Sequence, residues 1–215
     1  MNFIKQMNLR KLLLISFVLS GMAALIYQVT WIRPLQFLLG STTYTISIIL
    51  AAFMGGLALG SYLIAKHVDE IKNLPKAYGL MELGIGLYGV LLLSIFNLLP
   101  DVYNSLYWLH GNFYFFMGVQ FALVFMVLLV PTTLMGMTFP VVAKYYSKTI
   151  GKGIGEVYSA NNIGAIIGSF AAGFILIPLF GIKASIIFAG AINVLIGSLV
   201  ILKSEKRPGG GGSNE

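Results

Sequence analysis

The stretch Ser41–Lys66, STTYTISIILAAFMGGLALGSYLIAK, decides the fold class. It carries no charge before its last residue. As a helix it would be roughly 39 Å long, more than the ~30 Å hydrocarbon core of a bilayer. Ala52, Gly56 and Gly60 recur at every fourth residue, which sets them in one stripe along one helix face. In lipid an apolar side chain gains little by leaving the tails, so helices associate by close packing, and small residues let their backbones approach. The stripe therefore marks a helix–helix contact. The class expected is all-α and polytopic, with the lipid bilayer as partner.

Composition points the same way. Of 215 residues, 58% are apolar and 10% charged, and the mean hydropathy is +0.88. A soluble domain of this size could not bury so much apolar surface. With no cysteine, disulfides and thiolate metal sites are excluded. The net charge of +7 is spread between apolar spans, which argues against nucleic acid and for topology signals.

Outward from that stretch, the chain divides into residues 1–11, a basic N-terminus, 12–203, the transmembrane domain, and 204–215, a tail. Gly209–Ser213 (GGGGS) resembles an engineered linker and is left out of the fold. The first span is expected over Leu12–Ile32 as an uncleaved helix, a signal peptide being the alternative, with Trp31 and Arg33 at its far interface and Pro34 ending it. The second covers Thr42–Lys66 and the third Ala77–Leu99, stopped by Pro100. Asp101–Asn112, with Tyr103, Leu106, Tyr107, Trp108 and His110, reads as a short segment in the headgroup layer. The fourth span, Phe113–Ala143, is long and is expected to kink at Pro131 and Pro140. The fifth covers Val157–Phe180 and the sixth Ala184–Leu202.

Six spans put both termini on one side. Twelve of the 14 basic residues then share that side, leaving Arg33 and Lys183 on the other. By the positive-inside rule both termini are cytoplasmic, in a multi-pass protein of the cell (inner) membrane. The fifth span also carries a small-residue stripe, Gly164, Gly168 and Ala172. Matched stripes in the middle helix of each half resemble the 3+3 inverted repeat of one half of a major-facilitator transporter. Such a half normally needs a second half, so a homodimer through the second or fifth span is expected.

Several segments together resemble a known family: Leu25–Trp31 (LIYQVTW), Gly40–Tyr62, Met81–Gly89 (MELGIGLYG), Pro131–Pro140 (PTTLMGMTFP) and Tyr158–Gly181. They are similar to the membrane domain of fused spermidine synthase-like proteins, over about Leu12–Leu202. The resemblance implies a transporter-like helical domain preceding a soluble aminopropyltransferase domain. That domain's strand-and-glycine cofactor loop and its acidic residues have no counterpart in these 215 residues. No catalytic constellation, cofactor site or metal-ligand cluster is expected; His67 and His110 fall on opposite sides.

The candidate binding residues are the polar groups at membrane depth. Glu82 lies about five residues into the third span, on the order of 8 Å deep, with Tyr158, Asn161 and Asn162 at similar depth in the fifth. These are the expected partners of its carboxyl, because an unpaired carboxylate there costs at least a few kcal/mol. An outer layer holds Tyr27, Gln28 and Gln120, capped by Arg33. Glu82 reads either as a cation- or proton-binding group or as a carboxyl that locks helix packing. Gln28 and Gln120 read as interhelical hydrogen-bonding groups. Two functions follow. One is transporter-like binding of a small, cationic, polyamine-type substrate, in a hydrated cavity lined by the first and fourth spans that reaches Glu82. The other is a structural anchor or assembly module packing through glycine-rich helices. A membrane-embedded enzyme is the third and least supported.

Overall fold

A computed structural model of the protein describes residues 8–106, 111–146 and 150–205. Helices α1 (Leu9–Leu39), α2 (Thr43–Ala65), α3 (Leu74–Asn97), the short α4 (Leu99–Leu106), α5 (Phe113–Tyr146), α6 (Ile150–Ala171) and α7 (Ile177–Glu205) account for nearly all of it. A 3-10 turn (Val68–Glu70) joins α2 to α3, and a π turn (Ala172–Leu176) joins α6 to α7. Among the described residues there is no strand. Five stretches are long and apolar enough to cross a membrane: Leu9–Gln36, Thr43–Ala65, Leu74–Asn97, Phe113–Tyr146 and Gly153–Glu205.

The last of these has 53 residues and would be roughly 80 Å long if straight. It is not straight. At Gly181 the backbone takes φ 78° and ψ 173°, a region essentially restricted to glycine. Gly153 rests on the Tyr146 carbonyl, and Glu205 pairs with Lys76 at 2.9 Å. Lys144 in turn pairs with Asp69 at 2.7 Å. Both ends of the run therefore lie at the same charged end of the bundle, and the run doubles back at Gly181. Gly40, between α1 and α2, has the same φ of 78°. At each corner a hydroxyl of the following helix donates to the glycine carbonyl at 2.7 Å, Thr45 to Gly40 and Ser185 to Gly181.

Several boundaries differ from expectation. Pro34 does not end α1, which runs on to Leu39. A proline near a helix end removes one hydrogen bond, and Leu35, fully buried just beyond it, keeps the turn docked. Trp31 is buried against protein, stacked on Tyr27 with centroids 4.9 Å apart. Helix α3 ends at Asn97 with Leu98 as its cap, just before Pro100 as expected, and Pro100 sits in the first turn of α4. Tyr107, Trp108 and His110 lie outside the described residues.

Helices pair closely, α2 with α5 and α1 with α6 running parallel and α3 with α7 antiparallel. Gly56 on α2 meets Thr132, and Gly60 meets the Thr133 carbonyl on α5. Gly164 and Gly168 on α6 meet the Val18 and Met22 carbonyls on α1. A Cβ at any of these four would collide with backbone or a β-branched side chain. Ala52 and Ala172, in the same stripes, are fully buried. The stripes expected to offer a dimer contact are thus filled within the chain. On α3 and α7, Gly79 faces Gly197 and Gly86 faces Gly190, two close approaches seven residues apart on both helices.

The prolines of α5 show why this helix stays continuous over 34 residues. A proline frees the carbonyl four residues before it, and in a water-free setting that group needs a new donor. The carbonyl freed by Pro140 is Gly136 O, which accepts from Ser61 on α2 at 2.8 Å. The one freed by Pro131 is Val127 O, which accepts from Tyr88 on α3 at 3.4 Å.

Candidate functional site

The two glycine pairs of α3 and α7 bracket the level of Glu82. Helix α3 begins at Leu74, capped by the Asn73 side chain accepting from Lys76 N at 3.0 Å. Glu82 is therefore eight residues in, roughly 12 Å from the helix start rather than the expected 8 Å. It is 0% exposed. Ser20 on α1 donates to its Oε1 at 2.6 Å, and Asn193 on α7 donates to its Oε2 at 2.5 Å. The Tyr78 hydroxyl lies against the same carboxyl without meeting hydrogen-bond geometry, and Tyr27 is within its electrostatic reach. Every partner is neutral. Among the described residues no three His, Asp or Glu side chains gather as a metal cluster would require.

The partners expected for Glu82, namely Tyr158, Asn161 and Asn162, do not bond to it. Tyr158 is exposed, its ring edge-on to Phe139. Asn161 packs with its carbonyl and side chain against Gly21. Asn162 is half-buried on α6. Gln28 and Gln120 are both buried, and neither bonds to Glu82. Arg33 is exposed rather than capping a polar layer. Tyr27 belongs with Glu82 instead: its hydroxyl reaches between Gly89 and Gly190, toward the α3–α7 seam.

Ser20 and Asn193 escaped the sequence reading for different reasons. A serine one turn from several small residues carries no signal of its own. Asn193 did carry one. It is the single amide in the last apolar span, and Gly190 and Gly197 flank it at the spacing of Gly79 and Gly86 around Glu82.

A cavity of about 240 Å³ lies on the other side of α1. Its walls come from α1 (Phe17, Ser20), α2 (Leu57, Ser61), α5 (Gly136, Phe139) and α6 (Tyr158, Asn161). The first and fourth spans line it as expected, together with the second and fifth. Glu82 is not on the wall. Ser20 is, so the cavity stops one hydrogen bond short of the carboxyl. Of the hydroxyls around it, Ser61 donates to Gly136 O and Thr138 to Met135 O, leaving their oxygen lone pairs as acceptors. Tyr158 and Asn161 bring further polar atoms. The arrangement suits a small, mostly apolar molecule that carries hydrogen-bond donors.

One curated protein gives the comparison its content. The chain is 23% identical over 201 residues to polyamine aminopropyltransferase 2 of Streptomyces coelicolor. The match covers 90% of this chain and 34% of that protein, so the chain spans about a third of its relative's length. No family model and no solved structure matches.

Proposed function

We propose that this chain is a transporter-like membrane domain that binds a small amine-bearing cation of polyamine type in the cavity beside Ser20. The observation that carries the reading is the Ser20–Glu82 hydrogen bond, which couples the cavity wall to a fully buried carboxyl. An intramembrane acid is expensive to keep and is by default a functional group. The polyamine class rests on the name of the Streptomyces relative.

In this reading the domain crosses the membrane six times over residues 12–203, with the break at Gly181 dividing the last two spans and residues 1–11 and 204–215 both cytoplasmic. The architecture is a 3+3 inverted repeat like one half of a major-facilitator transporter. Three sets of contacts support it. Gly60 packs on the Thr133 carbonyl while Gly136, three residues on, packs on that of Leu57, three residues back. The α6–α1 pair repeats this: Gly164 on Val18, Gly21 on Asn161, with the same three-residue offsets. Exchanging the halves also carries Gly79, Glu82 and Gly86 onto Gly190, Asn193 and Gly197, so the carboxyl and its amide donor are counterparts across one axis. Transporters of this construction keep their binding sites at the repeat interface. A homodimer, in this reading, uses the exposed face of Ile163, Ile166, Phe170 and Phe174 rather than the glycine stripes.

The test is equilibrium binding of spermidine and putrescine to the purified protein in detergent. Saturable binding that is lost in Glu82→Gln supports the reading; unchanged binding in that variant removes Glu82 from it. The alternative is a membrane anchor for an aminopropyltransferase, favoured by the name and the greater length of the relative. It expects no amine binding, and specific capture of such an enzyme domain.

A further inference from the structure

We infer that Ser20 is the relay through which the protonation state of Glu82 is presented to the cavity, so that a bound ammonium and a proton on Glu82 exclude one another. The inference rests on the cavity reading above and adds to it a specificity-determining residue and a coupled ion. Among the described residues, Ser20 alone is both on the cavity wall and bonded to the carboxyl. A serine hydroxyl has one proton and two lone pairs. With Glu82 ionised, the proton points at Oε1 and both lone pairs are left for a donor in the cavity.

With Glu82 protonated the bond reverses. Asn193 donates to Oε2, so the acidic proton sits on Oε1 and Ser20 becomes the acceptor. Ser20 then has one lone pair left, and its own proton must turn to the cavity or to the Ser16 carbonyl one helical turn back. The wall changes from an acceptor polarised by an anion to a neutral, partly donating surface. An ammonium group fits the first and not the second.

Among the described residues, no other group near the carboxyl balances its charge. The titratable groups facing it are the hydroxyls of Tyr78 on α3 and Tyr27 on α1. Helix α7 brings Asn193, and no charged side chain among the described residues acts on the carboxyl. At the charged end, Lys76 pairs with Glu205 and Lys144 with Asp69. One ammonium group entering the cavity is balanced in charge by one proton leaving Glu82 for solvent. No bond other than that O–H is broken.

The buried polar atoms without a partner fit a seam whose hydrogen bonds rearrange. Tyr27 Oη, Tyr78 Oη and Asn193 Oδ1 are all unpaired and lie around this carboxyl. In either protonation state they give the site spare donors and acceptors.

The experiment counts protons released per spermidine bound, by calorimetry in buffers of different ionisation enthalpy, in wild type, Ser20→Ala, Ser20→Thr and Glu82→Gln. Alongside it, difference infrared spectroscopy reads the Glu82 carboxyl stretch in the unliganded proteins. At a pH where unliganded Glu82 is protonated, wild type should release about one proton per ligand and Glu82→Gln none. Ser20→Ala should bind about tenfold more weakly or worse and lose the proton release, with Ser20→Thr restoring both. The carboxyl band should shift in Ser20→Ala and return in Ser20→Thr. Undiminished proton release in Ser20→Ala overturns the relay. If wild type binds no amine, the cavity reading fails by itself, and the infrared band alone judges the relay: no shift in Ser20→Ala overturns it.

Discussion

Glu82 is satisfied by two donors from two other helices, and each can be removed singly. Asn193→Leu leaves Oε2 buried without its donor, which costs about 1–3 kcal/mol, more if the group is charged. Unfolding in mixed micelles should show this loss. The double variant Glu82→Leu with Asn193→Leu should recover part of it, because replacing both partners removes the unpaired group. Ser61→Ala is the milder case. It strips the donor from the carbonyl that Pro140 freed, and interhelical hydrogen bonds in membranes average about 0.6 kcal/mol. A Pro140→Ala background should make Ser61→Ala nearly silent, since the backbone N–H at 140 can then reach Gly136 O. The same unfolding measurement reads both. Glu82 was legible as a residue: a lone acid in an apolar span stands out. Its partners were not, because depth along separate helices was reckoned from helix starts that the caps shift by several residues, as Asn73 does for α3.

At the scale of elements, the glycine stripes were legible as contact surfaces, and their partners were not. Gly168 approaches the Met22 carbonyl too closely for any side chain, whereas Gly173, one turn on and facing outward, has nothing within 4 Å of where a Cβ would stand. Gly168→Leu should abolish the monodisperse species in size-exclusion chromatography, and Gly173→Leu should leave it unchanged. A dimer built on the stripe would instead leave a folded monomer in Gly168→Leu. The corners make a separate prediction. Gly181→Ala forces a side chain into a backbone region that costs about 1–3 kcal/mol, and should lower the thermal midpoint although nothing surrounds the new methyl. The place of this corner was legible, since Gly181–Lys183 separates the fifth and sixth spans expected from the sequence; its positive φ was not.

For the whole molecule, the proposed six crossings make a labelling prediction. The chain has no cysteine, so single cysteines report cleanly. Cysteine at Lys11, Lys72 and Lys203 should be modified by a membrane-impermeant maleimide from one face, and cysteine at Arg33 and Lys183 from the other. Lys203 reacting from the face of Lys183 would mean that the last run does not cross twice. What the sequence determined by itself was the all-α class and helices long and apolar enough to suit a bilayer, because hydropathy is a property of each segment alone. Which helix lies against which, that Ser20 and Asn193 rather than the polar residues of α6 hold Glu82, and that the glycine stripes are spent inside the chain were decided only by the tertiary structure. The physical reason is that in lipid no hydrophobic force chooses among helix pairs. Partners are fixed by close backbone approach and by the need to pair buried polar atoms, and both are relations between segments that no single segment encodes.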